Sequence, residues 1–443
     1  MKLTKLTLKN YRCFNNLEIN FHHELTVIVA HNGGGKTAIL DAIAVALGPF
    51  IGAFDEATGK HFGNDDVRRV RVRETQSNET EPQYPLELSA VGDINGVEKK
   101  WRRELRGKKG RTTKAFAIIN YGKDLQDKIK NSTTSESTIL PLISYYGTGR
   151  LWNQKRLTEG KSHQVSRTAG YTDCLEPSSS YKSFAEWFRY ASIADFEVLL
   201  KAHQSGKPYQ PTEFQDELNA VREAVNICLS ILEWENLEYS SGLKEIVANH
   251  PQNGVLPISL LSDGIRNMIG LVADIAYRMV RLNPQLGVNA VKETPGIVLI
   301  DEVDMHLHPE WQQVVIGDLR KAFPKIQFII TTHSPQVLTT VRAESIRKVQ
   351  WENDEVIIQI PEFSYGFESN QVLQSIQEVD PRPPQLDIVQ QLKQYLSLVS
   401  EDRWDSPEAK ELRAKLGVWF KDREPQLIKT DMDIRMREYR RGQ

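Results

Sequence analysis

The spacing of apolar residues changes period several times along the chain, and each change predicts a change of element. Residues 3–8 (LTKLTL) alternate in the manner of a half-buried strand, and a turn through 10–16 leads to a second strand at 17–21. Leu25-Thr26-Val27-Ile28-Val29 is continuously apolar and reads as a buried parallel strand, whereas residues 37–47 (TAILDAIAVAL) place apolar side chains at helical spacing. Further β-like runs occupy 67–72, 84–91 and 138–146 (TILPLISYY), the last ended by Gly147-Thr148-Gly149. From about 152 to 249 the pattern turns mostly helical, clearest at 184–190 and 213–234, but sustained heptads are too few for a long coiled coil. Strand and helix patterns alternate again from 255 to about 360. Asp380-Pro381-Arg382-Pro383-Pro384 then reads as a rigid linker before a charged helical tail. These elements predict an α/β fold with an antiparallel N-terminal lobe, organised as 1–150, a helical insert 151–250, a second α/β lobe 251–362 and a tail 363–443.

Between the strand at 25–29 and the helix at 37–47 lies Ala30-His31-Asn32-Gly33-Gly34-Gly35-Lys36-Thr37. Strand, glycine loop and helix form the context of a phosphate-binding loop. Residues Asn32, Gly33, Gly34 and Gly35 can turn successive backbone N–H groups toward phosphates, and the helix N-terminus adds a favourable partial charge. Lys36 would reach the β- and γ-phosphates of ATP, and the Thr37 hydroxyl would ligate Mg²⁺. Ala30 stands where the motif has its first glycine. Its methyl restricts the turn, which would suit a loop that binds ATP well and hydrolyses it slowly.

Two carboxylates extend this picture. Gly296-Ile297-Val298-Leu299-Ile300-Asp301-Glu302 is an apolar strand tipped by acids, a Walker B pattern. Asp301 would hold Mg²⁺ through water and Glu302 would act as general base on the attacking water. The same Asp-Glu pair could also be a helix cap after a core strand. Asp304 follows at a turn, and His306 and His308 beside it read as structural because no second ligand set accompanies them. Leu261-Ser262-Asp263-Gly264-Ile265-Arg266 precedes a helix predicted over 267–282, where Ser262 or Asp263 could simply cap that helix. After a predicted helix at 310–323, Phe328-Ile329-Ile330-Thr331-Thr332-His333 is a strand ending in a histidine.

With 443 residues and 40% hydrophobic content the chain is long enough for two or three packed lobes. No run approaches the roughly 18 apolar residues of a membrane helix. The N-terminus leads straight into strand pattern without a signal core, so a cytoplasmic location and no membrane partner are expected. Cys13, Cys174 and Cys228 lie far apart, which argues against disulfides and a zinc site. The formal charge of −2 means that any nucleic-acid contact must be local. Its strongest source is Lys99, Lys100, Arg102, Arg103, Arg106, Lys108, Lys109, Arg111 and Lys114, interleaved with Trp101 in a predicted hairpin or exposed loop. Contact with a phosphate backbone needs such charge and no base-specific geometry. A solvated loop is the alternative. Arg435, Arg437, Arg440 and Arg441 form a second basic cluster, and Asp431-x-Asp433 is an acidic pair without supporting strands, so no nuclease is expected within the chain.

LTKLTLKNYRCFNNLEINFHHELTVIVAHNGGGKT, LLSDGIRNMIGLVADIAYRM, IVLIDEVDMHLHPEWQ and FIITTHSPQVL together resemble the RecF/SMC/OLD branch of the ABC ATPases. Within that branch, YYGTGRLW at 145–152 and the stretch from Gly366-Phe367 to Val379-Asp380-Pro381-Arg382-Pro383 resemble the PtuA family, the ATPases of Septu and some retron anti-phage systems. The resemblance implies an ABC-ATPase head in which two subunits sandwich ATP·Mg²⁺. Ser262 and Gly264 would then bind the γ-phosphate of ATP held by the other subunit. His333 would be the switch histidine, and Asp304 would lie at the dimer interface. It implies homo-oligomers built from such dimers, an HNH nuclease partner of the PtuB kind, and DNA as the target. An ATP-dependent DNA clamp of the RecF/SMC kind, without a nuclease partner, is the alternative. The family's glutamine after the second core strand matches either Gln154 or Gln164. The chain departs from Rad50-like relatives in lacking a Cys-x-x-Cys hook.

Overall fold

The computed structural model describes residues 1–71, 80–108, 110–131, 133–150, 166–178, 181–353 and 355–441, without the side chains of residues 111, 112 and 441. They form two compact units, Met1–Val372 and Leu373–Gln443. The larger unit is built on a six-stranded sheet in the order Glu355–Gln359, Ile346–Glu352, Leu25–Val29, Ile326–Thr331, Gly296–Ile300, Leu142–Tyr146. All neighbours run parallel except the edge strand Glu355–Gln359. Every residue of Leu25–Val29, Ile326–Thr331, Gly296–Ile300 and Leu142–Tyr146 is buried, as expected of a parallel sheet covered on both faces. The glycine-loop strand and the carboxylate strand do not touch. The histidine strand lies between them, pairing Ile330 with Val27 on one side and with Ile300 on the other. Their C-terminal ends therefore meet at one edge of the sheet, where ligands of open α/β folds bind.

A five-stranded antiparallel sheet, ordered Phe14–Asn20, Lys2–Tyr11, Leu86–Ile94, Val97–Gly107, Gly110–Lys114, forms the N-terminal lobe. Leu86–Ile94 alternates buried and half-buried positions along its whole length, the mark of a strand with one face on a core. Gln327, on the histidine strand, ties the two sheets together. Its amide accepts from Leu3 N at 2.7 Å and donates to Leu3 O at 2.7 Å and His22 O at 2.9 Å. A glutamine can be wholly buried there because both ends of its amide are satisfied.

Several elements differ from their sequence pattern. The strand expected over 138–146 is Leu142–Tyr146, and the helix expected from 267 begins at Asp263. The helix expected over 310–323 is two pieces, Pro309–Gln312 and Val315–Ala322. Helices Lys182–Gln204 and Glu213–Leu229 bear out the helical pattern, but strands Glu235–Ser240 and Glu245–His250 follow and pair with each other, the second pairing also with Gly254–Pro257. Local periodicity does not show the first of them because Leu237 is its single buried residue and the pairing with Glu245–His250 shifts register between Glu235 and Glu238. In the smaller unit, helices Asp387–Ser400, Pro407–Phe420 and Pro425–Arg441 enclose their own core of Leu392, Tyr395, Trp404, Leu416 and Leu427.

Candidate functional site

The glycine loop joins Leu25–Val29 to helix Lys36–Ile51. Gly35 is the N-cap at φ 92°, and a Cβ there would lie 2.3 Å from the Phe14 ring, so both backbone and space demand glycine. A Cβ on Gly34 would lie 2.7 Å from the Ala30 Cβ. The methyl at Ala30 thus occupies the room left by Gly34, which explains how alanine replaces the first glycine of the motif. Gly34 N donates to His31 O at 3.0 Å, closing the turn. The Lys36 ammonium is buried and donates to Ala30 O at 3.1 Å. Burial lowers its pKa, against the opposing pull of Asp301 and Glu302.

Thr37 and the carboxylate strand meet directly: the Thr37 hydroxyl donates to Asp301 Oδ2 at 2.7 Å. Asp301 Oδ1 accepts from Thr331 Oγ1 at 2.5 Å, and the same hydroxyl accepts from Glu302 N at 2.8 Å. Thr331 therefore uses its place on the intervening strand to fix both acids. Glu302 has φ 49°, a left-handed conformation that costs a non-glycine residue about 1–2 kcal/mol. From the other side, Asp301 N donates to Tyr146 O at 2.8 Å. Two hard oxygens at the foot of a glycine cradle, with a buried ammonium beside them, fit a triphosphate with Mg²⁺.

His333 follows the histidine strand and is half-buried. Its pKa is lowered by burial and next by Lys36, while Glu302 and Asp304 oppose, which places it in the same electrostatic field as the loop and the carboxylates. Asp304 Oδ1 accepts from Thr332 Oγ1 at 2.5 Å. Ser262 is the N-cap of helix Asp263–Leu282, yet its exposed side chain makes no capping hydrogen bond. A Cβ on Gly264 would lie 2.4 Å from His306 O, so this glycine lets the helix start approach the turn after the carboxylates. The His308 side chain accepts from Glu310 N and caps helix Pro309–Gln312, a structural role as expected. Among the described residues no group of three or more His, Cys, Asp or Glu could hold a metal ion. Gln154 and Gln164 lie outside the described residues.

The basic stretch needs correction. It is a hairpin of Val97–Gly107 and Gly110–Lys114, but Arg103 is only 4% exposed. Its guanidinium donates to Val45 O and Lys60 O, each at 2.6 Å, and contacts His61 Nδ1 at 2.9 Å, so it holds the lobe to the loop helix and cannot face a nucleic acid. Trp101 is buried as well, with Nε1 donating to Ala46 O. Arg102 pairs with Glu87 and Arg106 with Glu104, which reduces the field. Lys99, Lys100, Lys108 and Lys114 are exposed, and Lys109 lies outside the described residues. Asp431 and Asp433 are taken up in ion pairs with Arg413 and Arg437.

Arg150 and Thr331 stand in sequence motifs that give neither of them a role of its own. Arg150 is 3% exposed and donates to the carbonyls of Gly147, Asp301 and Glu302. The signal available was a glycine-rich turn ending a buried strand with an arginine attached.

A family model described as an AAA domain matches residues 5–232, and a second AAA-domain model, named for the AbiEii toxin of a type IV toxin–antitoxin system, matches 210–339. The "Retron Ec83 probable ATPase" of Escherichia coli is 26% identical over 99% of this chain and 87% of its own length. The Septu protein PtuA of Bacillus thuringiensis is 28% identical over 88% of each chain. Among solved structures, the SMC head domain from Thermotoga maritima is similar at 18% identity and a TM-score of 0.44, over 82% of this chain and 100% of that one. No helix of the described residues is long and apolar enough to cross a membrane. The first family model alone spans more than half of the chain, and the protein belongs to the AAA-domain family, as an ABC-type ATPase related to the retron and Septu ATPases.

Proposed function

We propose that the chain binds and hydrolyses ATP in an anti-phage defence complex and, through its nucleotide state, regulates an associated HNH nuclease of the PtuB kind that cuts DNA. The observation that carries the ATPase reading is the meeting of Thr37, Asp301, Lys36 and Glu302 at one edge of the sheet. Asn32, Gly33, Gly34 and Gly35 would cradle the phosphates with backbone N–H groups, and Lys36 would bind the β- and γ-phosphates. Thr37 and Asp301 would hold Mg²⁺, which when bound offsets phosphate charge. Glu302 would orient the attacking water and take up its proton, while His333 would contact the γ-phosphate. The uncapped, exposed Ser262 hydroxyl at the helix start is available to a second subunit, which supports a head-to-tail dimer with composite sites, whereas Gly264 is buried against the His306 turn and would reach a γ-phosphate only if that turn shifted. The tail 363–443 would serve the partner nuclease or higher oligomers, and turnover would be slow, as suits a sensor in the cytoplasm.

The relatives' names support the defence reading. The decisive experiment mixes Lys36→Ala and Ser262→Arg subunits, each inactive alone. Recovery of hydrolysis in the mixture is expected from one intact composite site. No recovery would argue against the shared site, and ATP-dependent binding of DNA ends by a chain that copurifies with no nuclease would favour a clamp instead. Ala30→Gly tests the slow-turnover reading, and an unchanged rate and affinity would remove its basis.

A further inference from the structure

The proposed role of Glu302 requires its carboxylate to point at one place, yet its backbone sits in a left-handed conformation that other residues must hold. Its N–H is anchored by Thr331, and its carbonyl accepts from Arg150 Nη2 at 2.7 Å. Arg150 Nη1 reaches the carbonyl of Asp301 and, at 3.0 Å, that of Gly147. One guanidinium fork thus grips two consecutive carbonyls of the acidic pair, while the Asp301 carboxylate is taken up by Thr37 and Thr331. Arg150 is itself held from behind: Tyr181 Oη donates to Arg150 O at 3.3 Å. The Tyr181 ring packs on the helix that Ser262 begins, lying 2.6 Å from where a Cβ on Gly270 would be. A planar, permanently charged fork suits this task where a single ammonium would fill it poorly.

We infer that Arg150 is a positioning residue for hydrolysis, setting the direction of the Glu302 carboxylate by clamping the backbone of the Asp301-Glu302 pair. The inference rests on the general-base reading of Glu302. The guanidinium is spent on the backbone carbonyls of Gly147, Asp301 and Glu302, so its effect falls on the chemical step and not on nucleotide binding.

The test compares wild type with Arg150→Lys, Arg150→Met, Glu302→Gln and the double variant Arg150→Met/Glu302→Gln. Affinity is read from titration with a fluorescent ATP analogue, and chemistry from single-turnover hydrolysis. A displaced catalytic group loses on the order of 100-fold in rate. Arg150→Met should approach that loss with affinity changed less than about threefold, and Arg150→Lys should fall between it and wild type. The double variant should hydrolyse no more slowly than Glu302→Gln alone, because Arg150 then has nothing left to aim. Should Arg150→Met not fold, Arg150→Lys decides. Equal losses of affinity and rate, wild-type rates in a folded Arg150 variant, or an additive loss in the double variant would each overturn the inference while leaving Glu302 in place. Wild-type turnover by Glu302→Gln would overturn the general-base reading and this inference with it.

Discussion

Thr331 offers the sharpest separation of packing from chemistry in this site. Its side chain is completely buried, and its hydroxyl makes two hydrogen bonds, to Asp301 Oδ1 at 2.5 Å and from Glu302 N at 2.8 Å. Thr331→Val keeps the volume and removes the hydroxyl. A backbone N–H and a carboxylate oxygen are then left without that partner, at about 1–3 kcal/mol each, so the variant should lose about 2–6 kcal/mol of folding stability. Thr331→Ser removes one methyl group, at about 1 kcal/mol, and keeps both hydrogen bonds. Function should order the two still further apart: Thr331→Ser should hydrolyse ATP near the wild-type rate, and Thr331→Val should lose on the order of 100-fold as Glu302 leaves its left-handed conformation. Denaturant unfolding followed by circular dichroism gives the first quantity, and turnover of saturating ATP with Mg²⁺ gives the second. A Thr331→Val variant as stable and as active as Thr331→Ser would show that the hydroxyl does not hold the acids.

Three other predictions bear on different parts of the molecule. Burial pushes the Glu217 carboxyl up from its ordinary 4.5 to about 7, against the pull of Arg281. The folded state then keeps a proton that the unfolded state releases, so stability falls as pH rises from about 4.5 to about 7 and is level above. Glu217→Gln should therefore stabilise by about 3 kcal/mol at pH ~8 and by nothing at pH ~4, and equal effects in denaturation at both would contradict the assignment. Gly264→Ala should lose about 1–3 kcal/mol in the same assay, because its Cβ would lie 2.4 Å from a backbone oxygen, and an unchanged midpoint would mean that the His306 turn yields freely. Arg103→Gln should lower stability by about 2–3 kcal/mol while leaving the salt dependence of any DNA binding as it was. Replacing Lys99, Lys100 and Lys114 with Gln should instead flatten the plot of log affinity against log salt by about 3, at roughly 0.9 per phosphate contact, and an unaltered slope would remove the hairpin from the interface.

Much of the site was legible from local sequence, since a glycine loop and an apolar strand tipped by carboxylates write their chemistry into consecutive residues. Ala30 to Thr37, Asp301-Glu302 and His333 needed only their neighbours to be recognised, and the continuous apolar runs announced buried parallel strands. Partnership across the sheet was not legible. Nothing in residues 326–331 says that this strand separates 25–29 from 296–300, yet that placement is what lets Thr331 reach both acids. Arg103 and Arg150 show the same limit from opposite sides. In sequence Arg103 is one more charge of a basic run that reads as surface, and Arg150 is one residue of a glycine-rich motif with no role of its own. The fold buries both against backbone carbonyls, where a guanidinium satisfies several acceptors at once. Ala30 was read as a restriction on its own turn, but its fit depends on the missing Cβ of Gly34. Sequence alone nominated the candidate residues of the site, because that information is short-range. Tertiary structure decided which residues hold them in place, because burial and hydrogen-bond satisfaction depend on segments from 29 to 151 residues apart.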